Sequence, residues 1–256
     1  MPETARPHRS MDRLADRQEL LDGPLDDPTA LAANLRDLIW INRWLGGIRL
    51  SQRALDTLVA RRIDLLTLLD LGTGAADIPA ALQDHAARRG RKLSVIALDS
   101  RTEVVAAALV VRPELAARPD FTFQVGDGRS IPLADRSQDV VHASLVLHHL
   151  EPADAIVLLR EMGRVAGVGI IVNDLARGRL AWLGAWLISH TITRSRLTRN
   201  DASLSVRRAY TSDEMRAMLA AAGLRPIASF SGLFGHRYAI AAVALAVAEP
   251  AAGTTS

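Results

Sequence analysis

The sequence predicts an α/β protein built on a seven-stranded sheet, mostly parallel, with an antiparallel hairpin at its C-terminal end and helices on its faces. Three observations lead there. Short apolar runs alternate with alanine-rich helical segments through the middle of the chain, as buried parallel strands joined by crossover helices do. The first such run, Leu65 to Leu71, feeds Gly72-Thr73-Gly74 and then an alanine-rich segment, a strand–loop–helix unit whose loop must approach a ligand closely. Two further apolar runs, 226–231 and 238–246, close the chain and are joined by Gly232-Leu233-Phe234-Gly235-His236, which reads as a hairpin.

Taken in order, residues 1–28 read as a flexible arm, rich in Arg, Asp and Pro and without the apolar core of a signal peptide. A cytoplasmic protein is therefore expected. Residues 29–62 read as N-terminal cap helices, with Leu31, Leu35, Leu38 and Ile39 on one face and a break at Gly46-Gly47. The main domain, 63–248, carries strands at 65–71, 93–98, 121–125, 139–143 and 168–173, and helices at 77–89, 101–110 and 152–166. A further helix starts at Thr211, an N-cap with Glu214 three residues on, and ends near Gly223. Between it and the fifth strand, residues 177–210 read as a lid insertion. Its Leu180–Ile188 stretch is strongly apolar but shorter than the roughly 20 residues a bilayer span needs, so no stable membrane insertion is expected. Trp182 and Trp186 are expected to wall an apolar acceptor pocket there. Residues 249–256 read as a disordered tail.

Composition narrows the chemistry. A hydrophobic content of 49% is ample for one core, and the absence of cysteine excludes disulfides, thiolate metal sites and cysteine nucleophiles; no metal is expected. The net charge is only +3, the arginines are scattered and aromatics make up 4%, so no basic face with interleaved aromatics is on offer to nucleic acid. A homodimer is a possible assembly.

The strand ends carry the specific signals. A dinucleotide loop wants Gly-x-Gly-x-x-Gly, but the third glycine position here is Asp77. A carboxylate at that helix start repels a pyrophosphate and suits a ligand with a cationic amino group, and Asp70 adds to the negative field. Asp99 ends the second strand, where an acidic side chain takes the hydroxyls of a ribose, and Asp127 is placed to accept from an exocyclic adenine amine. Gly126-Asp127-Gly128 then precedes Ile131-Pro132-Leu133, and His148-His149-Leu150 follows the fourth strand.

With these motifs in this order, the chain resembles the class I S-adenosylmethionine-dependent methyltransferases, most closely over residues 65–175. The resemblance implies a Rossmann-like sheet with S-adenosyl-L-methionine as cofactor, held by Asp70, Gly72, Thr73, Gly74, Asp77, Asp99, Ser100, Asp127, Gly128 and Ser144, with Arg43 of the cap helices on the methionine carboxylate. It also implies a small-molecule acceptor. The lid's tail, Asn200 to Tyr210, resembles that of bacterial methyltransferases from polyketide-type pathways, which points to a phenolic, quinone-like or polyketide-derived acceptor methylated on oxygen in preference to carbon.

Histidine is the natural base near neutral pH, and the candidates are His142, His148, His149, His190 and His236. His149 and His190 are the ones expected at the reacting atom, with Asp174 or Asp201 available to orient a ring; catalysis by proximity alone stays open. Two other readings share the glycine loop: an NAD(P)-dependent reductase, against which Asp77 and the terminal hairpin argue, and a non-catalytic cofactor-binding homologue.

Overall fold

The computed structural model describes residues 11–15, 17–60, 65–193 and 195–245. Strands β1 (Leu66–Leu71), β2 (Leu93–Asp99), β3 (Phe121–Val125), β4 (Gln138–Ser144), β5 (Ala166–Leu175), β6 (Leu224–Ser231) and β7 (Arg237–Ala244) form one seven-stranded sheet in the order β3-β2-β1-β4-β5-β7-β6. The first five are parallel, and β7 pairs antiparallel with both β5 and β6. Strand order runs outward in both directions from the β1–β4 pair, so the switch point lies at the C-terminal ends of these two strands. Ligands in open α/β sheets bind there.

Leucine and β-branched runs produce both faces of the core, because successive strand residues point to opposite sides. On one side Leu69, Leu71, Val141 and Ile170 pack against α5 (Pro152–Val165) and α8 (Ser212–Ala221). On the other, Leu68, Val95 and Ile171 meet α2 (Gly47–Leu58) and α3 (Asp77–Ala87). Helices α1 (Pro28–Trp44) and α4 (Thr102–Val111) join over a smaller cluster that includes Leu31, Leu35, Ala75 and Val104. The cap region is two helices separated at Gly46, whose φ of +85° is the left-handed turn the glycine pair signals. The 177–210 insertion is a helical pair, α6 (Arg179–Thr191) and α7 (Arg196–Arg208).

The N-terminal segment departs from the expectation of a free arm. Leu14 N–H donates to the Arg207 carbonyl, Arg13 reaches the carbonyls of Leu150 and Arg208, and the backbone N–H groups of Leu20 and Leu21 donate to the Asp201 carboxylate. Arginine and aspartate, which read as solvated in sequence, here strap residues 13–15 and 17–22 across α7. Residues 1–10 and the 249–256 tail lie outside the described residues.

Candidate active site

The β1–α3 loop begins the site. Gly72 (φ +60°) and Gly74 (φ +54°) hold left-handed conformations, and a Cβ on Gly72 would lie 2.5 Å from Val146 Cγ2. The loop thus lies against the β4 end as closely as backbone allows. Gly74 N–H donates to Asp99 Oδ2 and Arg101 N–H to Asp99 Oδ1, which fixes the carboxylate at the end of β2. Burial raises the pKa of Asp99 despite these two donors, and the nearby Asp70 adds to the rise.

Two buried atoms on the loop have no hydrogen-bond partner: Asp77 Oδ2 and Thr73 Oγ1. Buried polar groups are nearly always paired, so this orphaned carboxylate oxygen and hydroxyl beside a glycine turn mark where ligand atoms belong. Burial pushes Asp77 up to about 6, against the pull of its Asn42 hydrogen bond. A cationic amino group is the partner that would restore its charge. The residues present fit an aminoacyl nucleoside: an anion for the ammonium at Asp77, a hydroxyl donor at Thr73, a fixed carboxylate for ribose at Asp99, and glycines that leave room.

Behind Asp77 runs a buried polar network that the sequence reading did not anticipate. Asn42 Nδ2 donates to Asp77 Oδ1, and Arg237 donates to Asn42 Oδ1, Asn173 Oδ1 and Ser144 Oγ. Asn173 donates in turn to Ser51 Oγ, which meets His142 Nε2, while His142 Nδ1 meets Asp70 Oδ1. Arg237 is 1% exposed, and burial lowers it to about 10 although Asp174 and Asp77 pull the other way. Gly47 makes room for it, since a Cβ there would sit 2.7 Å from the guanidinium. Asp70 and Ser144, expected on the cofactor, are thus engaged by His142 and Arg237. A lone arginine in a hairpin strand gave no signal in the sequence; the register that sets it beside Leu175 and Asp174 is a property of the sheet.

A cavity of about 690 Å³ is bounded by α1, α2, the β4–α5 connection, α6, α7 and the β6–β7 turn, and Gly72, Thr73, Gly74, Asp77 and Asp99 are not among its lining residues. Its wall includes Leu38, Ile41, Leu50, Ile188 and Val206, with Glu19, His148 and His149 at one polar pole and Asn34, Thr198, Asp201 and Ser205 as a second polar patch. His148 is 2% exposed, and its Nδ1 lies 2.6 Å from Asp174 Oδ1, which leaves Nε2 toward Glu19 Oε1 at 3.8 Å. Although burial works against ionisation, the charge and hydrogen bond of His148 keep Asp174 below its ordinary value. His149 Nδ1 meets Asp22 Oδ1 at 2.8 Å. Burial alone would lower His149, but Glu19, Asp22 and Asp174 outweigh it and raise its pKa. The donor atoms of Glu19, His148 and His149 lie within 4.8 Å of one another, and this set is the one among the described residues with ligands suited to a divalent ion.

Several expected site residues make other contacts or face solvent. Arg43 is exposed and sits over Trp44; its buried neighbour Asn42 is the α1 side chain that reaches the loop. Helical phase decides this, because adjacent residues point about 100° apart. Ser100 is exposed, Gly128 packs beneath Leu158, and Asp127 is half exposed and paired with Arg129, which holds its carboxyl low. On α6 the cavity is lined by Leu180, Ala181, Gly184, Ala185, Ile188 and Ser189, whereas Trp182 and Trp186 are absent from the lining. Trp186 instead stacks on an exposed His190, away from the histidine pole. Asp201 orients no histidine and receives the backbone of the N-terminal strap.

Comparison with known proteins agrees with this fold. Residues 69–171 match the family model described as a methyltransferase domain. A demethylmenaquinone methyltransferase of Beutenbergia cavernae is 36% identical over 126 residues, 49% of this chain and 46% of that protein; the chain thus spans about half the length of this curated relative. A SAM-dependent methyltransferase from Aquifex aeolicus has a TM-score of 0.58 at 19% identity, over 84% of this chain and 97% of that one. Human N-acetylserotonin methyltransferase in complex with SAM has a TM-score of 0.62 at 19% identity, over 88% of this chain and 61% of that one. At such identities the likeness establishes the fold alone, a mostly parallel seven-stranded sheet with an antiparallel C-terminal hairpin.

Proposed function

We propose that this chain, whose residues 69–171 match the family model described as a methyltransferase domain, is an S-adenosylmethionine-dependent methyltransferase that methylates an oxygen of a small apolar acceptor of phenolic, quinone-like or polyketide-derived type. The observation that carries the reading is the pairing of an orphaned, buried Asp77 Oδ2 beside the glycine loop with an apolar cavity ending in a carboxylate–histidine pole. When bound, the cofactor supplies an activated methyl group, so the protein's tasks are alignment, exclusion of water and proton removal. Asp77, Thr73, Gly74 and Asp99 hold it, with Asn42 and Arg237 behind Asp77 as positioning residues. The cavity wall orients the acceptor's apolar body, and its hydroxyl points to the Glu19–His148–His149 pole.

His148 takes the hydroxyl proton on Nε2. Its Nδ1 is committed to Asp174, which fixes the tautomer and stabilises the imidazolium that forms. His149 is held by Glu19 and Asp22. The relative's name, demethylmenaquinone methyltransferase, supports a quinone-like acceptor. Transfer of label from methyl-labelled cofactor to a panel of phenols and hydroquinones tests the reading. His148→Ala is expected to cut turnover by about 10²–10⁴ while S-adenosylhomocysteine still binds, and Asp174→Asn to shift the pH profile of the same step. No labelled product together with no S-adenosylhomocysteine binding would refute it.

A further inference from the structure

The mouth of the cavity is unusual for a surface facing water. Trp44, Leu180, Leu233 and Phe234 line it and yet are 65, 71, 73 and 81% exposed. Leu183 and Leu187 continue the Leu180 stripe along α6 at helical spacing, outside the cavity and about half exposed. Phe234 holds φ +57°, a left-handed conformation a bulky residue adopts only at a cost, and it places the ring in solvent at the tip of the β6–β7 turn. Scattered exposed leucines need no explanation, but a contiguous apolar rim around a pocket marks an interaction surface.

Charge identifies the partner. Arg43, Arg49 and Arg53 are exposed on the same rim, while the carboxylates of the cavity wall, Glu19 and Asp201, are buried. Arg43 and Arg53 lie over the rings of Trp44 and Phe230, the amphipathic arrangement suited to a headgroup layer. A two-fold pairing of this face with a second copy would set the same arginines against each other. We propose that the rim formed by α6, the α1–α2 junction and the β6–β7 turn docks on an anionic phospholipid surface, and that the acceptor enters the cavity from it. Docking is peripheral, since no described helix is long and apolar enough to cross a membrane. The acceptor's route, though not the docking itself, rests on the methyltransferase reading above.

Sedimentation of the full chain with phosphatidylcholine vesicles, with and without phosphatidylglycerol, tests this. Binding that requires phosphatidylglycerol and weakens with salt is expected. Each rim arginine is worth roughly fivefold in partitioning, so Arg43→Gln with Arg49→Gln should weaken binding roughly 25-fold. Leu183→Glu with Leu187→Glu, both outside the cavity wall, should abolish it while S-adenosylhomocysteine binding by calorimetry stays at the wild-type value. If that pair fails to fold, the arginine variant and Leu187→Glu alone carry the test. Binding indifferent to phosphatidylglycerol, binding that survives these substitutions, or a solution dimer that they split would overturn the proposal. Vesicle binding by a wild-type protein that does not bind S-adenosylhomocysteine would uphold the docking and overturn the methyltransferase reading.

Discussion

Asp77 carries opposing roles in stability and in ligand binding, and Asp77→Asn separates them. Burial raises this carboxyl from 3.8 to about 6 in the folded protein, so at neutral pH the ligand-free fold holds a carboxylate that it would rather protonate. That rise corresponds to roughly 3 kcal/mol lost on ionisation. Asparagine is nearly isosteric and can still accept from Asn42 through its oxygen, but its amide N–H takes the place of an oxygen with no partner, at about 1 kcal/mol. The ligand-free variant is therefore expected to be more stable than wild type by about 2 kcal/mol at pH 7.

The sign of the pH dependence follows from linkage. Between the unfolded and folded pKa values the folded state binds more protons, so wild-type stability falls as pH rises through that interval. The variant lacks this component, and its advantage should shrink toward zero near about pH 4. The opposite effect is expected on ligand: without the anion for an ammonium group, S-adenosylhomocysteine should bind about 2 kcal/mol or more weakly. Urea unfolding of both proteins between acid and neutral pH, with calorimetric titration at pH 7, reads both quantities. A variant no more stable than wild type at neutral pH, a difference that does not close in acid, or unchanged ligand affinity would refute the assignment of Asp77.

Two further outcomes follow from the same cleft. Asp99→Ala should weaken S-adenosylhomocysteine binding by about 1.5–3 kcal/mol through loss of two charge-assisted hydrogen bonds, read by calorimetry. Gly72→Ala forces a Cβ to within 2.5 Å of Val146 Cγ2 at a φ of +60°, so it should destabilise the fold by about 2–3 kcal/mol in urea unfolding; the double variant with Val146→Ala should recover the steric part and keep the backbone part.

The sheet was legible in the sequence because its central strands are buried on both faces and run as apolar stretches that end at glycines and polar residues, and the strand bounds fall within a few residues of those expected. The glycine loop and Asp99 were legible for the same reason: local backbone demands leave local marks. The pieces that failed depend on phase and distance. Arg43 and Asn42 are equally plausible in sequence, and only the rotation of α1 against the loop chooses Asn42. Trp182 and Trp186 looked like pocket walls by size, yet the lid turns its small residues Ala181, Gly184 and Ala185 inward. That choice makes physical sense, since small side chains leave volume for an acceptor and large ones would fill it. His148 and His149 differ by one position, and the buried Asp174 on β5 singles out His148.

The buried network explains why the cap and the hairpin are parts of one site. Arg237 of β7, Asn42 of α1, Asn173 of β5 and Ser144 of β4 converge on one guanidinium, and the chain of contacts ends on Asp77 at one side and on Asp70 at the other. No carboxylate pairs directly with Arg237 among its described hydrogen bonds, so its charge is balanced only by Asp77 and Asp174 at a distance. In the function proposed above, Asp77 serves the cofactor and Asp174 orients the proton acceptor His148. A cation that binds Asp77 removes part of that balance, and protonation of His148 adds a charge beside Asp174. The two halves of the site are thereby coupled through one buried charge. Low-dielectric surroundings make such coupling strong, so substitutions at Arg237 should perturb cofactor affinity and the pH profile of turnover together, where Asp99→Ala perturbs affinity alone.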